Sequence, residues 1–387
     1  MGVAGLGRAF TLMLPTFLHE TRVRLVAAAD PQAGAVARFE RDFGGVGYPN
    51  FAALCAAPDI DVIYVATPHG LHAEHTCAAL AAGKHVVVEK PMALNLGQCD
   101  AMVAAATAAQ RVLIVGPSHS FDAPIARTRA LIAGGTFGRV RMIQATYATD
   151  FLYRPRRLEE LRTHDGGGVI FSQAAHQIDI IRLLGGGLLE SVDACTGIWD
   201  PARPTEGAYS ALLRFRDGAF AAASYTGYAH FDGDELMDGI GEMGFPKEAT
   251  DYGVARRRLR DRTLPEVELK VARNYGGSAF VPPPPTAPAA HPHFGFVLAC
   301  CEGADLRPTP TGVWIYEDAQ RRFEPLPVNP VPRSEIIDEL VAAVLDKITP
   351  CHDGAWGCAT LEATIAILDA AAISGPVTLR RQVAIRD

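Results

Sequence analysis

The eight cysteines contain no C-x-x-C pair and no metal-ligand spacing, and a chain of 387 residues needs no disulfide staples. That excludes a zinc ribbon and a disulfide scaffold and leaves reduced thiols as the expectation. Positive charge is in the minority: 36 Lys and Arg against 43 Asp and Glu leave a net charge of −7, which gives no general attraction to nucleic acid or an anionic membrane. An acidic ligand would need a local basic pocket. No apolar run reaches the roughly 18 residues of a transmembrane helix, and the first residues lack the basic-then-apolar order of a signal peptide. A cytoplasmic protein with neither membrane nor nucleic-acid partner is expected. No internal repeat is visible, and the length exceeds what one core usually holds, so two domains are expected.

What is present is an alternation of strands and helices around His85-Val86-Val87-Val88-Glu89-Lys90-Pro91. A β-branched run suits a strand buried on both faces of a parallel sheet. Its C-terminal end, where ligands sit in open α/β sheets, presents Glu89, Lys90 and a proline that fixes the backbone. A lysine desolvated there has its pKa lowered into the range of proton transfer. Upstream, Gly5-x-Gly7 with Arg8 and Ala9 reads as a turn from strand to helix, where backbone N–H groups meet a pyrophosphate. Phe10 holds the place of the third glycine of that pattern.

Val23–Asp30 reads as the second strand. Asp30, about 20 residues past the glycines, would accept hydrogen bonds from an adenosine ribose and repel a 2′-phosphate, which favours NAD over NADP. The alternative is that Asp30-Pro31 only caps the next helix. A third strand ends at Ala66-Thr67-Pro68, followed by a helix from Leu71 to Ala82 carrying His72 and His75. Those two lack a third ligand, so no metal is expected. Asn95 and Gln98 have capping-box spacing, and Val112–Val115 is the next strand. A doubly wound parallel sheet over residues 1–117 is the consequence.

From Ser118 the rhythm changes. A helix (Ile125–Ala133) and a long strand (Val140–Thr149) lead to Arg154-Pro155-Arg156-Arg157, with Arg162 close behind. Then comes Gly166-Gly167-Gly168, running into a helical stretch that sets His176 and Asp179 on one face. Alternating segments (Leu188–Thr196, Ala208–Arg214, Ala219–Tyr225) predict an open, largely antiparallel sheet. Residues 230–292, which include Gly239-Ile240-Gly241, a basic run from Arg256 to Arg262 and Val281-Pro282-Pro283-Pro284-Pro285, read as a long insertion. A strand at Val313–Tyr316 and helices at Glu335–Leu345 and Ala359–Ala372 close the chain. The second domain is thus expected over 118–387.

Taken together, Gly5-x-Gly7, Asp30, Ala66-Thr67-Pro68 with His72, Glu89-Lys90-Pro91, the Gly166–Asp179 block and Gly375-x-Val377 resemble the glucose-fructose oxidoreductase/inositol dehydrogenase (Gfo/Idh/MocA) family. The resemblance implies a Rossmann domain followed by an α/β domain with an open mixed sheet, through which dimers or tetramers form. It implies hydride transfer between a nicotinamide and a carbinol carbon. Lys90 and His176 would be the catalytic pair, with Asp179 as orienting acid. Gly5, Gly7, Arg8, Ala9, Asp30, Thr67, Pro68, His72, Glu89 and Lys90 would bind the dinucleotide. Three departures matter: Phe10, Ser120 in a segment where many members carry an arginine, and Ser172 where the family often has an aspartate four residues before the histidine.

Within the family, Gly5–Leu12, Phe171–Asp179 and Gly239-Ile240-Gly241-Glu242-Met243-Gly244 look most like the phthalate 4,5-cis-dihydrodiol dehydrogenases. That likeness implies NAD-dependent oxidation of the dihydrodiol to 4,5-dihydroxyphthalate, with His119, Arg154, Arg156 and Arg157 meeting the substrate. Guanidinium forks suit a dicarboxylate. The competing expectations are a sugar or inositol dehydrogenase, which Ser172 disfavours, and a non-catalytic NAD-binding regulator.

Overall fold

A computed structural model of the chain describes residues 1–284 and 288–386. The chain divides into two compact units. One comprises Met1–Pro117, Leu264–Ala287 and Val331–Cys358, and the other Ser118–Thr263, Pro288–Pro330 and Ala359–Asp387. The second expected domain, 118–387, is therefore not one body, because two of its segments belong to the first unit.

The first unit starts with β1 (Gly2–Ala4), α1 (Arg8–His19), β2 (Ala27–Ala29), α2 (Ala33–Phe43), β3 (Val46–Tyr48) and α3 (Phe51–Ala56). It continues with β4 (Val62–Val65), α4 (His72–Ala81), β5 (His85–Val88), α5 (Leu96–Ala109) and β6 (Leu113–Val115). The strands lie in the order β3-β2-β1-β4-β5-β6, every pair parallel. Hydrophobic β4 and β5 are buried because crossover helices cover a parallel sheet. The second strand is shorter than its apolar run: pairing with the three residues of β1 spans only Ala27–Ala29. Asn95 caps α5 by accepting from Gln98 N at 3.0 Å, while the Gln98 carboxamide accepts from Leu94 N rather than from Asn95 N.

Phe10 is fully buried. Its ring meets Phe17 at 6.0 Å, Phe43 at 6.3 Å and Tyr275 at 5.1 Å between centroids. Where a glycine would allow close helix–sheet approach, this chain fills the space with an aromatic cluster.

The second unit begins with α6 (Ala123–Ala133), β7 (Val140–Ala148), α7 (Ala175–Leu184), β8 (Leu189–Gly197), β9 (Ala208–Phe215) and β10 (Phe220–Thr226). Then follow α8 (Val254–Arg260) and, within the first unit, α9 (Glu266–Arg273). The chain closes with β11 (Phe296–Cys301), β12 (Asp305–Thr309), β13 (Gly312–Tyr316), β14 (Arg321–Pro325), α10 (Glu335–Leu345), α11 (Gly354–Ile373) and β15 (Val377–Thr378). Nine strands run β14-β13-β12-β11-β7-β10-β9-β8-β15, antiparallel except for β7–β10. Every residue of α7 is buried, and Gln177 ties it to β9 and β10 through Tyr209 Oη (2.7 Å) and Ser224 O (3.2 Å).

The expected insertion at 230–292 carries α8, α9 and short 3-10 turns, although its proline-rich part runs into residues 285–287, outside the described residues. Its basic run is not wholly a solvated surface. Arg256 donates to Tyr228 O and Ala229 O and lies 4.0 Å from the Tyr153 ring centroid. By length and composition alone α11 could cross a membrane, but 67% of its 18-residue apolar window is buried inside the protein, as in a core helix.

Restoring the third glycine with Phe10→Gly should destabilise the first unit by about 3–5 kcal/mol, the usual range for emptying a buried Phe site. A fall in the denaturation midpoint monitors this, and an unchanged midpoint would show that the aromatic cluster contributes nothing.

Candidate active site

In the first unit, Gly5 has φ +93°, and a Cβ there would stand 2.7 Å from Ala66 O. Only glycine lets these two turns approach so closely. Gly7 is the N-cap of α1 and offers no side-chain cap. Helix α1 thus begins at Arg8 and Ala9 behind an N-cap with no side chain, and an anion suits that place. The Asp30 carboxylate accepts from Leu6 N and Gln32 N, both at 2.7 Å, so it both braces the glycine turn and starts α2. Each oxygen keeps a lone pair for a ribose hydroxyl. A bare glycine cradle beside an acid fits a nicotinamide dinucleotide.

Thr67 and Pro68 form the facing turn. His72, expected to bind cofactor, lies beneath it. The ring is fully buried, with Nδ1 2.9 Å from Pro91 O and Nε2 2.8 Å from Thr67 O. Burial lowers its pKa against the opposing pull of those carbonyls. It joins the Thr67 turn to the Lys90-Pro91 turn instead of facing outward. His75 stacks on Phe51 at 4.0 Å. Among the described residues no three His, Cys, Asp or Glu stand close enough to hold a metal. Glu89 also sits one layer down, buried, and accepts from Tyr64 Oη at 2.5 Å. Burial raises its carboxyl pKa. Lys90 follows just past the C-terminal end of β5, half-buried.

In the second unit two imidazoles meet. His119 and His176, both buried, have ring centroids 4.8 Å apart, and Phe294 walls them at 5.2 and 5.0 Å. His176 Nδ1 faces His119 N and Ser118 Oγ, each at 3.4 Å. A backbone N–H can only donate, so Nδ1 is the acceptor and the neutral ring carries its proton on Nε2. His119 Nδ1 lies 2.6 Å from Asp122, and its Nε2 is 3.5 Å from Glu242, close for an ion pair but long for a hydrogen bond. Burial alone would lower the His119 pKa, but these two carboxylates raise it overall. Asp179, expected as orienting acid, accepts from Ser120 Oγ at 2.5 Å and Thr360 Oγ1 at 2.9 Å. It fixes the turn that carries Ser118 and His119.

The arginines divide. Arg154 is 46% exposed, 3.7 Å from Asp150, and interacts electrostatically with Glu242, Tyr225 and Tyr147. Arg156 lies 3.6 Å over the Phe151 ring and donates to Phe151 O, and burial lowers its pKa to about 10. Arg157, expected to meet substrate, pairs with Glu159 at 3.0 Å and Glu160 at 3.7 Å. Arg162 reaches Asp165 at 3.8 Å. Sequence reasoning did not single out Glu242, Tyr147, Asp234 or Phe294 as site residues. Glu242 had a signal, since it stands in Gly239-Ile240-Gly241-Glu242-Met243-Gly244. Tyr147 donates to Asp234 at 2.6 Å, and Asp234 is also paired with Lys247 at 2.6 Å.

The model of the GFO/IDH/MocA oxidoreductase family, NAD-binding Rossmann fold, matches residues 1–117, and that of the GFO/IDH/MocA C-terminal domain matches 125–244. A 1-carboxy-3-chloro-3,4-dihydroxycyclohexa-1,5-diene dehydrogenase of Comamonas testosteroni is 45% identical over 373 residues, covering 95% of this chain and 94% of its own. The crystal structure of a protein assigned as a dehydrogenase in Bordetella bronchiseptica RB50 matches with a TM-score of 0.92 at 39% identity, over 98% of this chain and 99% of that one. In fold alone, the WlbA dehydrogenase of Bordetella pertussis in complex with NADH and UDP-GlcNAcA is similar, with a TM-score of 0.69 at 21% identity, over 98% of each chain.

Asp122→Asn should lower the His119 pKa, read from histidine ring resonances through a pH titration. An unmoved titration would exclude Asp122 as the cause. Because the folded pKa is raised, protonation of His119 stabilises the second unit fully below about pH 6.5, the ordinary histidine value, and that contribution is lost as pH rises through the folded pKa. The variant should lose stability mainly on the acidic side.

Proposed function

Because the chain belongs to the GFO/IDH/MocA oxidoreductase family, we propose that it is an NAD-dependent dehydrogenase that oxidises the cis-diol of a carboxylated cyclohexadiene to the catechol. The narrowest form of this reading is phthalate 4,5-cis-dihydrodiol going to 4,5-dihydroxyphthalate. The observation that carries it is the chemistry around His119 and His176. Their wall is the Phe294 ring, itself stacked on Tyr225 at 5.9 Å. The nearby tyrosine hydroxyls are already engaged: Tyr147 with Asp234, Tyr209 with Gln177, Tyr225 with Thr149. A polyol would ask for many open hydrogen-bond partners, whereas a flat diene ring asks for an apolar wall. The relative of Comamonas testosteroni, named for a carboxylated dihydroxycyclohexadiene, supports the same class.

When bound, the nicotinamide supplies the acceptor for the two electrons and hydrogen leaving the carbinol carbon. Lys90 and His176 are the proposed acid–base groups that take the hydroxyl proton. Loss of a ring proton from the resulting ketone gives the aromatic catechol, so diol and NAD become catechol, NADH and one proton. Aromatisation draws the reaction forward, which lets the site work with Ser172 in place of the usual aspartate. Arg154 is the proposed partner of the substrate carboxylate, and Asp30 supports NAD over NADP.

Formation of NADH should be seen with phthalate 4,5-cis-dihydrodiol or a monocarboxylated dihydrodiol, and not with glucose or myo-inositol. Turnover of the polyols alone would support a sugar dehydrogenase, and no turnover of any alcohol a non-catalytic regulator. Lys90→Met should cut kcat by about a hundred- to ten-thousandfold, the usual range for acid–base help, far more than it weakens NADH binding. Arg154→Ala should lower kcat/KM for the carboxylated diol by about a hundredfold, the scale of a lost charge-assisted pair. Arg157→Ala, already paired with Glu159 and Glu160, should stay within about threefold. Equal losses at both arginines would undo the assignment of Arg154.

A further inference from the structure

Tyr275 belongs to a segment far downstream of the first sheet, yet it is seated in the first unit with almost no clearance. Its ring is buried edge-on against Phe10, and its hydroxyl donates to Asp42 of α2 at 2.6 Å. Phe280 closes the same cluster, 5.4 Å from Tyr275, and Arg38 of α2 lies 4.7 Å over the Phe280 ring. The next residue, Gly276, has φ +78°, and a Cβ there would come within 2.6 Å of Ala35 Cα. The arm thus presses its backbone onto α2 just beyond Asp30, and Asn274 faces the other side. The Asn274 Nδ2 atom is the nearest heavy atom to the place a Gly7 Cβ would occupy, at 3.9 Å.

In a G-x-G turn the second glycine is where the backbone makes room for a pyrophosphate. An amide nitrogen aimed at that room is a hydrogen-bond donor beside the place of negative charge. We propose that Asn274, delivered by the arm of α9 and its following turn, is a dinucleotide-binding residue that donates to the pyrophosphate next to Gly7. This rests on the reading that the first unit binds a nicotinamide dinucleotide, and it gives the missing third glycine a purpose. The Phe10 ring that replaces it is the anchor on which Tyr275 holds Asn274 in place. Asn274 itself is half-buried and ends α9 through its backbone N–H to Val271 O at 3.1 Å. Its side chain can therefore be changed without removing that backbone bond.

The test is binding by the full chain. Asn274→Ala should weaken NADH and ADP-ribose, measured by isothermal titration, by about tenfold, as expected for one hydrogen bond to a charged group. Asn274→Asp should weaken both further, with part of the loss relieved by salt, because it sets a carboxylate beside the phosphates. Adenosine, which lacks phosphate, should bind both variants as it binds the native chain in saturation-transfer NMR, and the melting temperature without ligand should not move. Unchanged NADH affinity in Asn274→Ala would overturn the proposal, as would an equal loss for adenosine. If the native chain bound neither NADH nor ADP-ribose, the functional reading itself would fall with it.

Discussion

The Asp179 carboxylate draws Ser120 Oγ to 2.5 Å and Thr360 Oγ1 to 2.9 Å, and the candidate site of the second unit depends on those two bonds. A buried carboxylate must find donors from within the protein, because water is not there to supply them. Here the donors come from the turn that carries Ser118 and His119 and from α11, while Asp179 itself sits on α7, one turn beyond His176. The same α7 carries fully buried Arg182, which donates to Thr360 at 2.7 Å and Gln382 at 3.0 Å. Satisfying these two charges draws the turn, α7 and the C-terminal segment together. The His119–His176 contact follows from that arrangement.

A similar division between surface and support runs through the first unit. His72 and the Glu89–Tyr64 pair lie under the turns and hold them, below the glycine backbone, Asp30 and Lys90 that the proposed function assigns to the ligand. Sequence motifs named His72, Glu89 and Asp179 among the expected site residues, but a motif records which residue types are required and not which layer they occupy. For Glu89 and Lys90 the layer was legible. Side chains alternate across a strand end, so if one of the two points into the core the other does not. Burial of Glu89 needed only Tyr64 two strand residues before Ala66 to supply its donor. For Asp179, the two bonds it accepts from Ser120 and Thr360 come from positions distant in the chain, which no local motif records.

The doubly wound sheet and the largely antiparallel second sheet were both readable from alternating apolar periods, since those periods are fixed by backbone geometry. What could not be read was the return of two later segments to the first unit. Phe10 was the visible sign: a large ring where the pattern has glycine demands something to pack against. The partner, Tyr275, lies in a stretch whose polar and basic composition reads as loop, and no period connects the two. The arginines could not be told apart in sequence for a related reason. Arg154, Arg156 and Arg157 look alike in sequence, but neighbouring Glu159 and Glu160 neutralise Arg157, and Phe151 takes the face of Arg156.

Charge within the second unit bears on which carboxylated ring suits it. His119 and His293 are both buried, yet the pKa of His119 is raised while burial lowers that of His293. The difference lies in their partners. Asp122 approaches His119 to 2.6 Å, whereas Asp234 stands 3.7 Å from His293 and is already shared with Lys247 and Tyr147. Positive charge is therefore favoured on His119, with Glu242 3.5 Å from its Nε2 and interacting electrostatically with Arg154. Under the proposed function, one substrate carboxylate is assigned to Arg154. A second would have to face Glu242, Asp122 or Asp150, and like charges in a partly desolvated site repel strongly. In the proposed reading of a phthalate-type ring, the second carboxylate is therefore directed toward solvent, away from those acids.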